Sequence, residues 1–111
     1  MVKKAFDEFY VVTDFQNRSF RLYAHTIEHI RQSHPEIAEP LRFVEAILKD
    51  PILITEDELP NTLIYHQRAK KPLVHVAYAE VEKNIIKSAH ISDKIKGGNV
   101  VWFAKTEDLL S

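Results

Sequence analysis

The chain has no cysteine, only two glycines, and no apolar run near the length that crosses a membrane. Without cysteine there are no disulfide frameworks, no cysteine-based zinc fingers and no thiol nucleophiles. Two glycines and five prolines in 111 residues exclude collagen-like and low-complexity segments. A spanning helix needs roughly 20 apolar residues. Lys3 and Lys4 are followed by Asp7 and Glu8, which interrupt any leader-like apolar core. A cytoplasmic protein with no membrane segment is the expectation. Charge of neither sign prevails: 15 Lys and Arg face 16 Asp and Glu, for a net −1. That excludes a generally basic nucleic-acid binder and an acidic solvating tail. No P-loop, dinucleotide fingerprint, serine-hydrolase elbow or acidic metal triad occurs.

What is present is ordinary globular material, 45% apolar and 28% charged, with six histidines. The length suits one domain over 1–111. Residues 9–15 are aromatic and β-branched, and Phe20, Leu22 and Ala24 alternate with Arg21 and Tyr23. Between them lies polar Gln16-Asn17-Arg18, so a β-hairpin is predicted. The period then changes. Ile27 and Ile30 predict a short helix over 26–33, with Thr26 as its cap and Pro35 as its stop. Ile37, Leu41, Val44 and Leu48 mark one face of a second helix, widened by Ala38 and Ile47 and ended by Asp50-Pro51. Pro40 lies in its first turn or kinks it. Strands are predicted at 52–55, 62–68, 73–79, 84–91 and 100–103. The predicted fold is α+β: an N-terminal β-hairpin and two helices packed on an antiparallel β-meander of about four strands.

Charge is unevenly placed. Residues 67–96 hold seven basic and three acidic side chains. Arg68, Lys70, Lys71, Lys83 and Lys87 therefore make this stretch the expected meeting place for a polyanion. A solvated sheet face with lysines guarding its edges explains the same pattern.

The histidines carry the chemistry. His25-Thr26-Ile27-Glu28-His29 matches the inverted zinc-protease motif, H-x-x-E-H. That chemistry also needs a distant third ligand and a larger body to bind peptide, so the motif is read as fortuitous. Ile30-Arg31-Gln32-Ser33-His34-Pro35-Glu36 gathers a cation, an imidazole and a carboxylate at a helix break. Imidazole moves protons near neutral pH, and Arg holds phosphate bidentately. In the strands, alternation places Tyr65 with Gln67, His66 with Arg68, and Ser88 with His90. One sheet face showing Arg68, Ser88 and His90 is compatible with this. His75 alternates with apolar Val74 and Val76 and reads as a structural strand histidine.

His29-Ile30 followed by His34-Pro35-Glu36, an amphipathic helix closing on Asp50-Pro51, and the later strands around Ile64-Tyr65-His66, 73–78 and 85–90 form one pattern. Gly97-Gly98-Asn99-Val100-Val101-Trp102 completes it. The pattern resembles the phage-associated barnase–EndoU–colicin–RelE-like nuclease families. It covers about residues 20–103. The resemblance implies two helices on an antiparallel sheet and a small metal-independent endoribonuclease of toxin–antitoxin or phage-effector type. It implies site positions at His29, His34, Tyr65 and Ser88, with Arg31 and Arg68 as additions; the candidate set is then His29, His34, Tyr65, Arg68 and Ser88 as catalytic residues, with Arg31 and, from the basic strand stretch, Lys87 and His90 binding substrate. RNA is the implied partner, beside an antitoxin or immunity protein, with no metal and no cofactor. Ser88 stands where threonine is usual, and Lys87 and His66 depart from the pattern.

The chemistry this suggests uses the RNA 2′-hydroxyl as nucleophile. His34 removes its proton, Arg68 and Lys87 stabilise the phosphorane, and His29 or His90 protonates the leaving oxygen. Tyr65 stacks on a base or donates to phosphate. The alternative is a module of the same fold that binds nucleic acid or protein without catalysis. A third reading is an unrelated α+β protein with histidines used structurally or for a metal.

Overall fold

In the computed structural model, which describes residues 8–104, nine elements follow one another. β1 (Phe9–Thr13) and β2 (Ser19–Tyr23) form the hairpin. The Asp14 carboxylate closes its turn by accepting the Gln16 and Arg18 N–H groups at 2.9 and 2.8 Å. Asn17 takes the left-handed φ of 66° that the turn needs and that asparagine tolerates.

α1 (Ala24–Ser33) follows directly. It starts two residues before the predicted cap. Tyr23 is its N-cap and offers no side-chain bond, while Thr26 is buried inside the helix. Its end agrees with expectation. His34 is the C-cap, and Pro35 prevents another turn.

α2 (Pro40–Lys49) is shorter than predicted, because Pro40 is its first residue rather than a kink. Ile37 is buried but lies in the preceding turn, outside the helix. Val44, Ile47 and Leu48 form its buried stripe.

The strands β3 (Leu53–Glu56), β4 (Thr62–Arg68), β5 (Val74–Glu80) and β6 (Ile85–Ser92) run antiparallel to their neighbours, and β7 (Val100–Phe103) adds beside β3. The expected four-stranded antiparallel sheet is corrected here. All strands belong to one seven-stranded mixed sheet, ordered β1-β2-β6-β5-β4-β3-β7. β2 pairs with β6 in parallel through Arg21 and Ile85, so the hairpin extends the meander instead of standing apart. α1 packs on β2 and β6, and α2 packs on β1, β4 and β5.

The two sheet faces differ. Phe20, Leu22, Tyr65, Ala77, Ala79, Ile86 and Ala89 are buried with Ile30, Val44, Ile47 and Leu48 of the helices. The three alanines let the helices approach the sheet closely. The opposite face is crossed by residues 93–99, a strap that carries the chain from β6 to β7. Lys96 anchors it: its carbonyl accepts the Thr55 hydroxyl at 2.7 Å, and its N–H donates to His66 Nε2 at 2.9 Å. No helix among the described residues is long and apolar enough to cross a membrane.

Candidate active site

Cross-strand register fixes which side chains share the strap face. His66 pairs with Val76, which pairs with His90. Ile64, Tyr78 and Ser88 form the next row. Paired residues point to the same side of a sheet, and so do residues two apart. Tyr78, Ser88 and His90 therefore stand together, and Arg68 shares their face through its pairing with Val74, opposite Ser92.

Lys87 joins them for a reason that alternation does not give. The β5–β6 register shifts between Tyr78 and Ala79, leaving Lys87 as the extra residue on β6. Such a bulge breaks alternation and re-aims a side chain. Lys87 and Ser88, neighbours in sequence, consequently line one open cleft of about 350 Å³ with Asp57, Leu59, Tyr78 and His90. Lys87 Nζ is 3.5 Å from the Thr62 hydroxyl on the same face.

The rim is a ladder of three rings. His90 stacks on Tyr78 at 5.7 Å and on His34 at 5.6 Å, with interplanar angles of 22° and 23°. His34 reaches β6 because α1 ends there: the helix stops at Ser33, and the chain turns at Pro35. Glu36 Oε2 lies 3.6 Å from His34 Nδ1, an ion pair when that ring is protonated. His90 is half-buried, and burial first, then the charges of His34 and Lys96, hold its pKa below the ordinary value against the opposing pull of Glu36. Burial and the Asp57 carboxylate push the Tyr78 phenol up. Two adjacent imidazoles beside Lys87 and the Ser88 hydroxyl can give and take one proton at a phosphate ester.

Of the expected catalytic residues, His34 and Ser88 come together here, and Lys87 and His90 join them. Tyr65 does not. It lies on the helix face, 1% exposed, with its hydroxyl donating to Asp14 Oδ2 at 2.6 Å and its ring edge-on to Phe20. Burial and the Asp14 hydrogen bond push its phenol up. The sheet itself separates it from the cleft. His29 is exposed on α1, and Arg31 pairs with Glu28 at 3.0 Å; neither lines the cleft. Arg68 is exposed at the end of β4, on the right face but outside the cleft. The H-x-x-E-H string gives no metal centre: Glu28 serves Arg31 and Gln32, His25 stacks on Tyr23, and no group of three metal-ligating side chains exists among the described residues.

Sequence reading missed Tyr78 and Asp57, which line the cleft, and Lys96, whose charge bears on His90. Tyr78 was detectable, since alternation places it with Val74 and Val76 on one face of its strand. Lys96 was not, because it arrives on an irregular strap. No protein-family model matches this chain, and no curated protein or solved structure matches it either.

Proposed function

We propose that the chain is a small metal-independent endoribonuclease whose working pair is His34 and His90. The observation that carries this reading is the 5.6 Å stacking of these two imidazoles at the mouth of a cleft holding Lys87 and Ser88. Two rings this close reach oxygens of the same phosphodiester. RNA supplies its own nucleophile, so the protein need only move protons and stabilise charge.

His90 is the better base. Its protonated form is penalised by burial and by two neighbouring cations, so its lone pair stays available. His34, with Glu36 beside it to pair with the imidazolium, is the acid. These roles reverse the assignment expected from sequence. His90 takes the 2′-hydroxyl proton as the 2′-oxygen attacks phosphorus. Lys87 and the strap lysine, Lys96, bear on the growing phosphorane charge. The P–O5′ bond breaks as His34 protonates the leaving oxygen. The products are a 2′,3′-cyclic phosphate and a 5′-hydroxyl end. Tyr78, last in the ring ladder, offers its free face for stacking against a base. An antitoxin or immunity protein that blocks this cleft is the expected partner.

The test is incubation of the purified chain with single-stranded RNA, with analysis of the cleaved ends. Cyclic phosphate termini formed equally with and without EDTA support the reading. Loss of cleavage by at least ~100-fold in each of His34→Ala and His90→Ala is expected for a general acid or base. Full activity in either variant removes that residue from the mechanism. RNA binding at the same cleft without cleavage establishes the non-catalytic module instead.

A further inference from the structure

The corner between α1 and α2 borders two hollows. His34 stacks on His90 of the strap face, while Glu36, two residues on, lines a second cavity, of about 480 Å³, between α2 and the helix face of the sheet. It is larger than the cleft and falls within the ~300–1,000 Å³ typical of small-molecule sites. Gln67 and His75, paired across β4 and β5, line it from the sheet, and α2 supplies Phe43. The Phe43 and His75 rings lie 4.6 Å apart at 40°. Aromatic surface is therefore present for a flat ring to rest on. The polar groups are mostly acceptors. Gln67 Nε2 is committed to the Ala46 carbonyl at 2.8 Å, so what the Gln67 amide offers a ligand is its oxygen. Glu36 and Glu39 add two carboxylates, and Arg42 has Glu39 beside it at 3.4 Å. Burial holds the His75 pKa below its ordinary value, so that ring is uncharged at neutral pH. Carboxylates at the rim repel phosphate. A neutral flat ring that carries amino donors fits this chemistry.

We propose that the cavity seats the base of the nucleotide whose 5′-oxygen leaves, and that it selects a base with an amino group (adenine, guanine or cytosine) over uracil. The inference rests on the reading of His34 as the acid. A group that protonates the 5′-oxygen stands next to the downstream nucleotide. Glu36 joins that point to the cavity, because its Oε2 is 3.6 Å from His34 Nδ1 and its side chain is part of the lining. The ring ladder then gives the RNA a direction. The upstream base lies with Tyr78, the scissile phosphate with His90 and His34, and the downstream base passes round the 34–36 corner to Phe43 and His75. Amino groups donate to the Gln67 oxygen and to the carboxylates. Uracil has no amino group and sets a carbonyl oxygen on either side of its one ring N–H, which leaves acceptors facing acceptors.

Two measurements on the full chain test this. In the first, adenosine 5′-monophosphate is titrated into the protein while the Phe43 and His75 ring protons are followed by NMR. Its phosphate stands where the downstream nucleotide carries the scissile one. Saturable shifts of both rings are expected, with uridine 5′-monophosphate binding at least ~5-fold more weakly, the lower end of what stacking contributes per base. Shifts confined to Tyr78, Ser88 and His90, or equal binding of the two nucleotides, overturn the inference. In the second, oligonucleotides with a single ribose, and so one cleavable bond, carry adenine, uracil or no base on the next nucleotide. Adenine is expected to exceed the abasic substrate in kcat/KM by at least ~5-fold. In Phe43→Leu and His75→Leu, which keep apolar bulk and lose the aromatic ring, that ratio should fall toward one. A ratio unchanged in both variants overturns the inference, and if neither variant folds the nucleotide titration of the wild-type chain decides. A chain that binds adenosine 5′-monophosphate at Phe43 and His75 and cleaves no RNA keeps the base site and loses the ribonuclease reading. A chain that cleaves RNA with no preference for the downstream base, its His75 unmoved by nucleotide, does the reverse.

Discussion

The Tyr65 hydroxyl and the Asp14 carboxylate meet at 2.6 Å in a region where both residues are almost fully buried. Asp14 also closes the hairpin turn, so one carboxylate ties the first hairpin to the centre of the sheet. Tyr65→Phe keeps the ring against Phe20 and strands part of a buried carboxylate. It should cost about 1–3 kcal/mol of stability, read as a lower urea midpoint with an unchanged slope. Cleavage per folded molecule should not change; a loss of turnover without a loss of stability would return Tyr65 to the mechanism. The buried histidines make a second prediction. Burial holds His66, His75 and His90 below the ordinary 6.5. The unfolded chain therefore binds protons that the folded chain refuses. Their stabilising effect is complete above about pH 6.5 and is lost as pH falls below it, toward the lowered folded values. Urea midpoints should drop between pH 7.5 and 5, with a smaller drop in His66→Gln. At this scale the sequence was partly legible. Alternation put Ser88 and His90 on one face, and the structure has both lining one cleft with His34 stacked on His90. Tyr65 misled because a tyrosine in a strand looks the same whether it faces a core or a cleft.

The strap shows what a short irregular element can control. Gly97 has the positive φ that favours glycine, and its missing Cβ is what lets the chain pass Thr55 and the Glu56 carbonyl. Gly97→Ala should destabilise the fold by more than about 1 kcal/mol, measured by thermal or urea unfolding, because backbone cannot give way there. Gly98, whose Cβ would sit at an ordinary 3.8 Å from the Glu56 carbonyl, should tolerate alanine far better and serves as the control. Boundaries of regular elements were readable where sterics act locally. Pro35 and Pro51 end the helices, the 62–68 strand stands where alternation puts it, and the 100–103 strand follows the Gly97-Gly98-Asn99 turn as expected. Two features escaped because they depend on distant chain. The parallel β2–β6 pair joins strands separated in sequence by both helices and three strands, and the bulge at Lys87 exists only relative to its partner strand. That bulge is what puts Lys87 into the cleft, so the least legible element feature has the most direct bearing on the site.

The whole molecule carries a net charge of −1, and this limits how it can hold a polyanion. A ribonuclease that grips RNA through a broad basic surface releases many counterions and binds much more weakly as salt rises. Here the sheet sorts the groups differently. Its helix face is closed by the core, and the strap face carries a cleft lined by Lys87 and Asp57, with Lys96 on the strap near enough to bear on the charge of His90. Arg68, Lys70 and Lys71 are exposed at the far end of β4 and its turn, outside the cleft. For single strands each neutralised phosphate contributes roughly 0.7 to the slope of log affinity against log salt. Two cations, Lys87 in the cleft and Lys96 on the strap, therefore give a slope of roughly −1.4. Fluorescence anisotropy of a labelled single-stranded RNA, using the His34→Ala chain, measures this directly. Lys87→Gln should flatten the slope by about half, whereas Lys70→Gln and Lys71→Gln should leave it unchanged. A slope several times steeper, carried by Arg68, Lys70 and Lys71, would mean that RNA lies across the β4–β5 turn. The His34–His90 pair would then not be where the phosphate is met.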